Sequence, residues 1–63
     1  MQPHQERVVT EKKELDDKRE KLGAFIQGDF FQTLPAGERN RLSQQAIAMT
    51  TYSTILGERI AAF

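Results

Sequence analysis

The sequence has no cysteine and only one histidine, His4. Disulfides are therefore excluded, and a structural zinc site lacks the ligands it requires. Nine basic and nine acidic residues give zero net charge, whereas a general DNA or RNA binder carries a basic excess. No apolar run approaches the ~20 residues that cross a bilayer, and residues 1–6 lack the pattern of a signal peptide. These absences favour a cytoplasmic protein with no metal, no cofactor, no DNA or RNA partner and no membrane partner.

The length of the chain limits the core that it can build. Its 63 residues make a single domain, 1–63. Below about 70 residues one core seldom supplies more than ~3–5 kcal/mol, so such a chain needs a further source of stability. With disulfides and metal excluded, tight helix packing or self-association remains.

The clearest pattern lies in the second half of the chain. Apolar or small residues recur there in alternating steps of four and three, at Leu42, Ala46, Met49, Ser53, Leu56, Ile60 and Phe63. This repeat predicts a helix over 35–62 with one face packed against another helix. Beside that face, Ile47, Tyr52 and Ile55 add more apolar surface than one short partner helix covers.

The first half predicts a helix over 4–26, rich in good helix formers. Val8, Leu15 and Leu22 are spaced by seven. The positions between them carry charge, at Glu11 or Lys12 and at Lys18 or Arg19. Because the connection over 27–34 is short, the sequence predicts an all-α, antiparallel two-helix hairpin. Its surplus apolar surface indicates a homo-oligomer.

The connection contains both turn signals and aromatic residues. We expect Gly28 to end the first helix in the left-handed conformation and Asp29 to cap the turn that follows. Phe30, Phe31 and Leu34 either plug the open end of the hairpin or form an aromatic platform for a ligand.

Candidate binding residues follow a stripe on the first helix. Its members step by four, three, four, three and four: Arg7, Glu11, Glu14, Lys18, Lys21 and Phe25. Arg59 lies near the end of the second helix that approaches Arg7. These arginines and Glu11 form either a salt bridge or a phosphate clamp completed by a second subunit, since the planar guanidinium suits phosphate oxygens. Tyr52 is either a core-edge residue or an aromatic face for a base.

The sequence does not support catalysis. His4 is the only histidine and lies near the terminus, and no serine is placed beside it by a recognisable motif. No Gly-rich phosphate loop occurs. We therefore expect a protein that is not an enzyme.

Beyond these patterns, the run from Glu6 to Lys18 is similar to the first helix of a family of small phage proteins. The likeness continues at Leu22, Phe25, Ile26, Phe31, Gln32, Thr33, Leu34, Gln45, Met49, Tyr52, Ile55, Leu56, Arg59, Ile60 and Phe63. The chain thus resembles the helical-hairpin domain of phage anti-CBASS and anti-Thoeris proteins, which crAss-like phages also encode.

The resemblance implies a sponge that binds cyclic di- or trinucleotide immune signals without cleaving them, in the cytoplasm of the infected bacterial host. It also implies a compact homo-hexamer with ligand pockets between protomers. The candidate ligand-binding residues are Arg7, Glu11, Lys18, Lys21, Phe25, Tyr52 and Arg59. The arginines would contact phosphate or ribose, the lysines phosphate, and the aromatic rings bases. The alternative is a non-enzymatic structural or regulatory adaptor that binds a host protein.

Overall fold

The computed structural model describes residues 1–63 and consists of two long helices without a strand. Helix α1 spans Pro3–Gln27, helix α2 spans Ala36–Ala61, and a turn of 3-10 helix, Asp29–Thr33, joins them. The molecule measures 46 × 14 × 13 Å, so the two helices lie side by side and antiparallel. The all-helical prediction is confirmed.

The ends of both helices follow from their sequences. Pro3 is the first residue of α1, where a missing N–H costs nothing. Pro35 immediately precedes α2, which has Glu38 in its first turn and Arg59 in its last, charges that complement the helix dipole. α1 is one residue longer than predicted at each end, and α2 is one residue shorter at each end. Neither helix has an apolar stretch long enough to span a bilayer.

The connection differs from the prediction in its backbone. Gly28 has φ −84° and ψ 164°, so the expected left-handed conformation is wrong. The turn that begins at Asp29 has no side-chain capping bond, so the expected Asp29 cap is wrong as well. Phe31 is buried and meets the Phe25 ring edge-on, with the centroids 6.4 Å apart. Phe30 lies 6.0 Å from the same ring but stays 63% exposed. The plug interpretation therefore fits Phe31, while Phe30 is left at the surface.

The core is a short row of side chains along the helix interface. Val8, Leu15 and Leu56 form its buried cluster, and Met49 and Ile60 pack against it half-buried. Leu56 has no exposed surface at all. The core is therefore narrow, and Leu56 is its centre.

The hairpin exposes more surface than a folded monomer of its mass. Its accessible surface is 4777 Å², whereas a monomer of 7.2 kDa exposes about 4,100 Å². Its radius of gyration is 14.5 Å, against about 10.6 Å for a compact domain of this length. The exposed large apolar residues are Met1, Val9, Phe25, Phe30, Ile47, Tyr52, Ile55 and Phe63.

Gly23 offers a test of the space around α1. A Cβ at this position would meet no neighbouring atom within 4 Å, and alanine favours a helix over glycine by about 1 kcal/mol. We expect Gly23→Ala to raise the free energy of unfolding by about 0.5–1 kcal/mol, measured by urea denaturation. Gly57→Ala is the matched control, with a smaller gain, because its Cβ would stand 3.4 Å from Lys12 Cε. A loss of stability for Gly23→Ala would contradict this geometry.

Candidate functional site

The most highly charged contact between the two helices is centred on Asp16. Its Oδ2 accepts a hydrogen bond from Lys12 Nζ at 2.7 Å. Its Oδ1 accepts from Arg19 Nη1 at 2.9 Å and from the Ser53 hydroxyl at 2.6 Å. Lys12 Nζ also donates to Ser53 Oγ at 3.0 Å, and Arg19 Nη2 donates to Thr50 Oγ1 at 3.3 Å. These five residues, termed the polar layer, tie α1 to α2.

Helical spacing places the polar layer in the middle of the interface. Lys12 and Arg19 follow Val8 and Leu15 by four residues, so they occupy the intermediate inner positions of α1. Their stems cover the core while their charged ends reach its edge, and the two side chains are only 30% and 33% exposed. Gly57 of α2 leaves room for the Lys12 stem. The charges in the seam of α1 are therefore part of the helix contact.

Hydrogen bonding lowers the pKa of the Asp16 carboxyl. The bond from Lys12 is the largest of the effects that hold the pKa of the Asp16 carboxyl well below its usual value, followed by those from Ser53 and Arg19. A carboxylate with a lowered pKa is a weak base at neutral pH, so Asp16 is poorly suited to activate the Ser53 hydroxyl. The arrangement holds two cations in fixed positions beside one carboxylate.

The stability of the hairpin is expected to depend on Asp16 in acid. Because the folded-state pKa lies below the unfolded value of about 3.9, the carboxylate stabilises the fold above about pH 4. This contribution is lost as the pH falls below that value. We therefore expect wild type to lose more free energy of unfolding between about pH 5 and pH 2 than Asp16→Asn, which has no carboxyl to protonate at this position.

Urea denaturation of both proteins at several pH values measures this difference. Asp29→Asn is the control, because Asp29 makes none of the four ion pairs in the chain, and it should keep the wild-type pH profile. Equal acid sensitivity of wild type and Asp16→Asn would contradict the expected role of the carboxylate.

The residues predicted to bind a ligand lie outside the polar layer. Arg7 and Phe25 are each nine residues from Asp16, which places them about 180° from it round α1. Lys18 is two residues from Asp16 and lies about 160° from it. All seven predicted residues are exposed: Arg7, Glu11, Lys18, Lys21, Phe25, Tyr52 and Arg59. On α2, Tyr52 and Arg59 lie on the opposite side of Ser53 from Thr50, the residue that contacts Arg19. The predicted residues of both helices therefore lie on the side of the hairpin opposite to this contact. This surface is termed the ligand flank.

The ligand flank is too long for its residues to meet at one point. Arg7 and Phe25 are separated by 18 positions, or about 27 Å along α1. Arg7 and Arg59 lie towards the end where the chain termini are, whereas Lys21 and Phe25 lie beside the connection. A single chain therefore presents two groups of residues, with Tyr52 between them. The group nearer the termini is Arg7, Glu11 and Arg59, and the group nearer the connection is Lys18, Lys21 and Phe25.

Ion pairing distinguishes the cations of the ligand flank. Lys21 is paired at 3.0 Å with the carboxylate four residues before it. Arg7, Lys18 and Arg59 belong to none of the four ion pairs, and neither does Glu11. The single chain therefore gives no support to the salt-bridge interpretation of Arg7, Glu11 and Arg59. Three cations of the flank are left without an anionic partner.

A shallow depression of about 270 Å³ lies on α2, lined by Ala46, Ile47, Thr50 and Thr51. It adjoins the polar layer, because Arg19 donates to the Thr50 hydroxyl. A ligand in this depression would contact one helix and stay exposed on its other side. Binding pockets normally bury most of the ligand surface, so this depression needs a second chain to enclose a ligand.

The sequence interpretation missed the polar layer. The two inner positions of α1 each offer a choice between adjacent charged residues. The sequence interpretation selected Glu11 and Lys18 as ligand residues, whereas in the structure Lys12 and Arg19 are the ones that face α2. The available signal was Asp16, which lies four residues after Lys12 and three before Arg19 and is therefore placed to pair with both.

Comparison with known proteins identifies the family of the chain. The family model described as Sequestin matches residues 2–62. The chain belongs to the Sequestin family. The match includes both helices, the polar layer and the whole ligand flank, and it is consistent with the sponge-type anti-defence family that the sequence resembles. The Sequestin name denotes a sequestering role. No curated protein and no solved structure gives a significant match.

Proposed function

We propose that this Sequestin chain binds cyclic di- or trinucleotide immune signals and holds them without cleaving them. It would act as a phage anti-defence protein in the cytoplasm of the infected bacterial host, where a sequestered signal cannot reach its effector. Membership of the Sequestin family over residues 2–62 carries this proposal. The unpaired, exposed cations Arg7, Lys18 and Arg59 on the ligand flank support it.

The chemistry of the ligand flank suits a cyclic oligonucleotide. Such a ligand carries one negative charge on each phosphodiester group, and arginine forms paired hydrogen bonds to phosphate oxygens. Tyr52 and Phe25 are 43% and 39% exposed, which leaves ring surface for stacking on bases. Glu11 supplies an acceptor beside Arg7. Lys21 is the weaker lysine candidate, because it is already ion-paired.

The pockets would lie between protomers of a homo-oligomer, expected to be a hexamer. One chain exposes roughly 650 Å² more surface than a monomer of its mass. The distance of about 27 Å between Arg7 and Phe25 prevents one chain from gathering both around a small ligand. Adjacent protomers can bring the two groups of the ligand flank together.

Titration calorimetry against a panel of cyclic di- and trinucleotides tests the proposal. We expect at least one member to bind with a dissociation constant below about 1 μM, which corresponds to about −8 kcal/mol. Linear dinucleotides of the same bases serve as controls and should bind more weakly. Absence of binding to every cyclic member would contradict the proposed function.

The alternative is an adaptor for a host protein, and the exposed apolar residues of α2 favour it. An adaptor would bind no nucleotide in the same titrations. Chemical conversion of a bound nucleotide would instead assign the chain to the enzymes, which the weakly basic Asp16 does not support.

A further inference from the structure

The two ends of the hairpin are packed unequally. Residues 20–47 are termed the connection half, and residues 3–19 and 48–61 the terminal half. The buried residues of the two helices all lie in the terminal half, at Val8, Leu15, Ser53 and Leu56. In the connection half the turn contributes the buried Phe31, but neither helix contributes a buried residue. The core between the helices therefore ends before the connection half.

Hydrogen bonds between the two helices are confined to the polar layer. Lys12 donates to Ser53, Arg19 donates to Ser53 and Thr50, and Ser53 donates to Asp16. The ion pairs of the chain each lie within one helix. The helices of the connection half are therefore joined by neither a hydrogen bond nor an ion pair.

The space between the helices is incompletely filled at Gly23. Seven residues from the contact between Asp16 and Ser53, the antiparallel helices bring Gly23 level with Ala46. Gly23 is half-buried, yet a Cβ at this position would meet no atom within 4 Å. Two residues with little or no side chain thus occupy the middle of the connection half. Atoms without close neighbours lose dispersion energy, so this part of the interface contributes little to stability.

An arginine with an unmade hydrogen bond lies on the inner face of α2 in the connection half. Arg39 precedes Ala46 by seven residues and is half-buried. Its Nε is buried without a hydrogen-bond partner, and its side chain belongs to no ion pair. The Nε of Arg19 is also unpaired, but the other nitrogens of Arg19 bond to the polar layer. A buried donor without a partner destabilises the folded state, and Arg39 has no compensating bond.

The helix ends at the connection are also less well capped than those near the termini. α1 has no basic residue in its last turn, and α2 begins without a side-chain capping bond. At the other end of the hairpin, Gln5 Oε1 accepts a hydrogen bond from the Gln2 N–H at 2.9 Å, and Arg59 lies in the last turn of α2. Because helices fray from their ends, the unequal capping favours opening at the connection.

We propose that the connection half opens as a unit while the terminal half stays folded. The hairpin then has two cooperative parts that meet at the polar layer, and opening turns residues 20–47 into one long loop. The closure entropy of a loop grows only slowly with its length, so the folded terminal half can hold this loop. Lys21 and Phe25 of the ligand flank lie in the part that opens, whereas Arg7 and Arg59 lie in the part that stays folded.

Hydrogen exchange followed by nuclear magnetic resonance tests this order of opening. A hairpin with one uniform core would fray first at its free termini, because the connection ties the other ends together. We expect the Leu22 and Ala46 amides to exchange at least about tenfold faster than those of Leu15 and Leu56, after correction for intrinsic rates. Urea below the unfolding transition should accelerate Leu22 and Ala46 less, since partial opening exposes less surface. Equal rates, or slower exchange in the connection half, would overturn the proposal.

Two matched substitutions give a second test. Ile26 and Ile60 are both half-buried, one in each half. Ile60→Val is expected to accelerate exchange in the terminal half about two- to fivefold and to leave the connection half unchanged, because that half opens while the contacts of Ile60 persist. Ile26→Val is expected to accelerate exchange in both halves, since global unfolding also breaks its contacts. Equal acceleration of both halves by Ile60→Val would contradict separate opening.

Both measurements use the protein without nucleotide. Their outcome is therefore independent of the calorimetric test of the proposed function, and either result can fail while the other stands.

Discussion

Leu56→Ala is expected to unfold most of the protein at room temperature. Leu56 is the one side chain without exposed surface, and it joins Val8 and Leu15 in the buried cluster. Truncation of a buried leucine to alanine costs about 2–5 kcal/mol, and a core of this size seldom supplies more than about 3–5 kcal/mol. The loss is therefore comparable with the whole stability of the hairpin. Far-ultraviolet circular dichroism during urea denaturation measures it.

Val9→Ala is the matched control for this substitution. It also removes apolar atoms, but from a side chain that is 38% exposed on α1. We expect its free energy of unfolding to change by less than about 1 kcal/mol. If self-association stabilises the hairpin, the melting temperature of Leu56→Ala should rise with protein concentration. A Leu56→Ala protein as stable as Val9→Ala at every concentration would contradict the central place of Leu56 in the core.

Arg7→Ala and Arg59→Ala are each expected to weaken cyclic-nucleotide binding by about tenfold to a hundredfold. A hydrogen bond to a charged group contributes about 1.5–3 kcal/mol, and each 1.4 kcal/mol changes a dissociation constant about tenfold. Neither arginine is ion-paired within the chain, so the hairpin itself should keep its stability. Calorimetry gives the affinity, and light scattering on the same samples gives the mass of the assembly.

Arg41→Ala controls for the loss of an arginine elsewhere on α2. Arg41 is exposed and paired with Glu38 at 3.0 Å, near the start of the helix, so its removal should leave nucleotide affinity unchanged. Loss of the oligomer in Arg7→Ala or Arg59→Ala would assign that arginine to a salt bridge between subunits. Wild-type affinity in both variants would contradict the proposed phosphate contacts.

The fold was predictable because its periodic signals are strong. The four–three repeat from Leu42 to Ile60 defines the inner face of α2, and the structure buries Ser53 and Leu56 at its centre. Phe63 continues the repeat in the sequence, but α2 ends at Ala61 and the Phe63 side chain remains 46% exposed. A repeat predicts the face on which a residue lies only as far as the helix extends. It does not predict whether α1 reaches far enough to cover that residue.

The polar layer was harder to predict because adjacent residues compete for the same inner position. Glu11 and Lys12 differ by about 100° round α1, and the interface direction lies between them. Lys12 donates a hydrogen bond to Ser53, and Ser53 donates one to Asp16, so these bonds join the two helices at this point. Such a contact between distant parts of the chain is not encoded in the local pattern of α1. The presence of charge in the seam was visible in the sequence, but its partner on α2 was not.

The exposed surface of α2 shows a similar limit. The exposure of Ile47, Tyr52 and Ile55 in the hairpin agrees with the expected surplus of apolar surface. The sequence alone, in contrast, does not show that the hydroxyls of Thr50, Thr51 and Thr54 donate hydrogen bonds to backbone carbonyls of α2. Side-chain conformation therefore decides how many hydroxyl donors this surface of α2 leaves free, and composition alone does not contain that information.

Recovery of intact nucleotide from the protein tests sequestration without cleavage most directly. Excess protein is incubated with each cyclic di- and trinucleotide and passed through a filter that retains the assembly, and the retained protein is then heat-denatured. For at least one nucleotide we expect none in the first filtrate, and quantitative recovery of the unchanged cyclic compound by chromatography after denaturation. Free nucleotide in the first filtrate for every compound tested, or a linear product after denaturation, would contradict the proposed function.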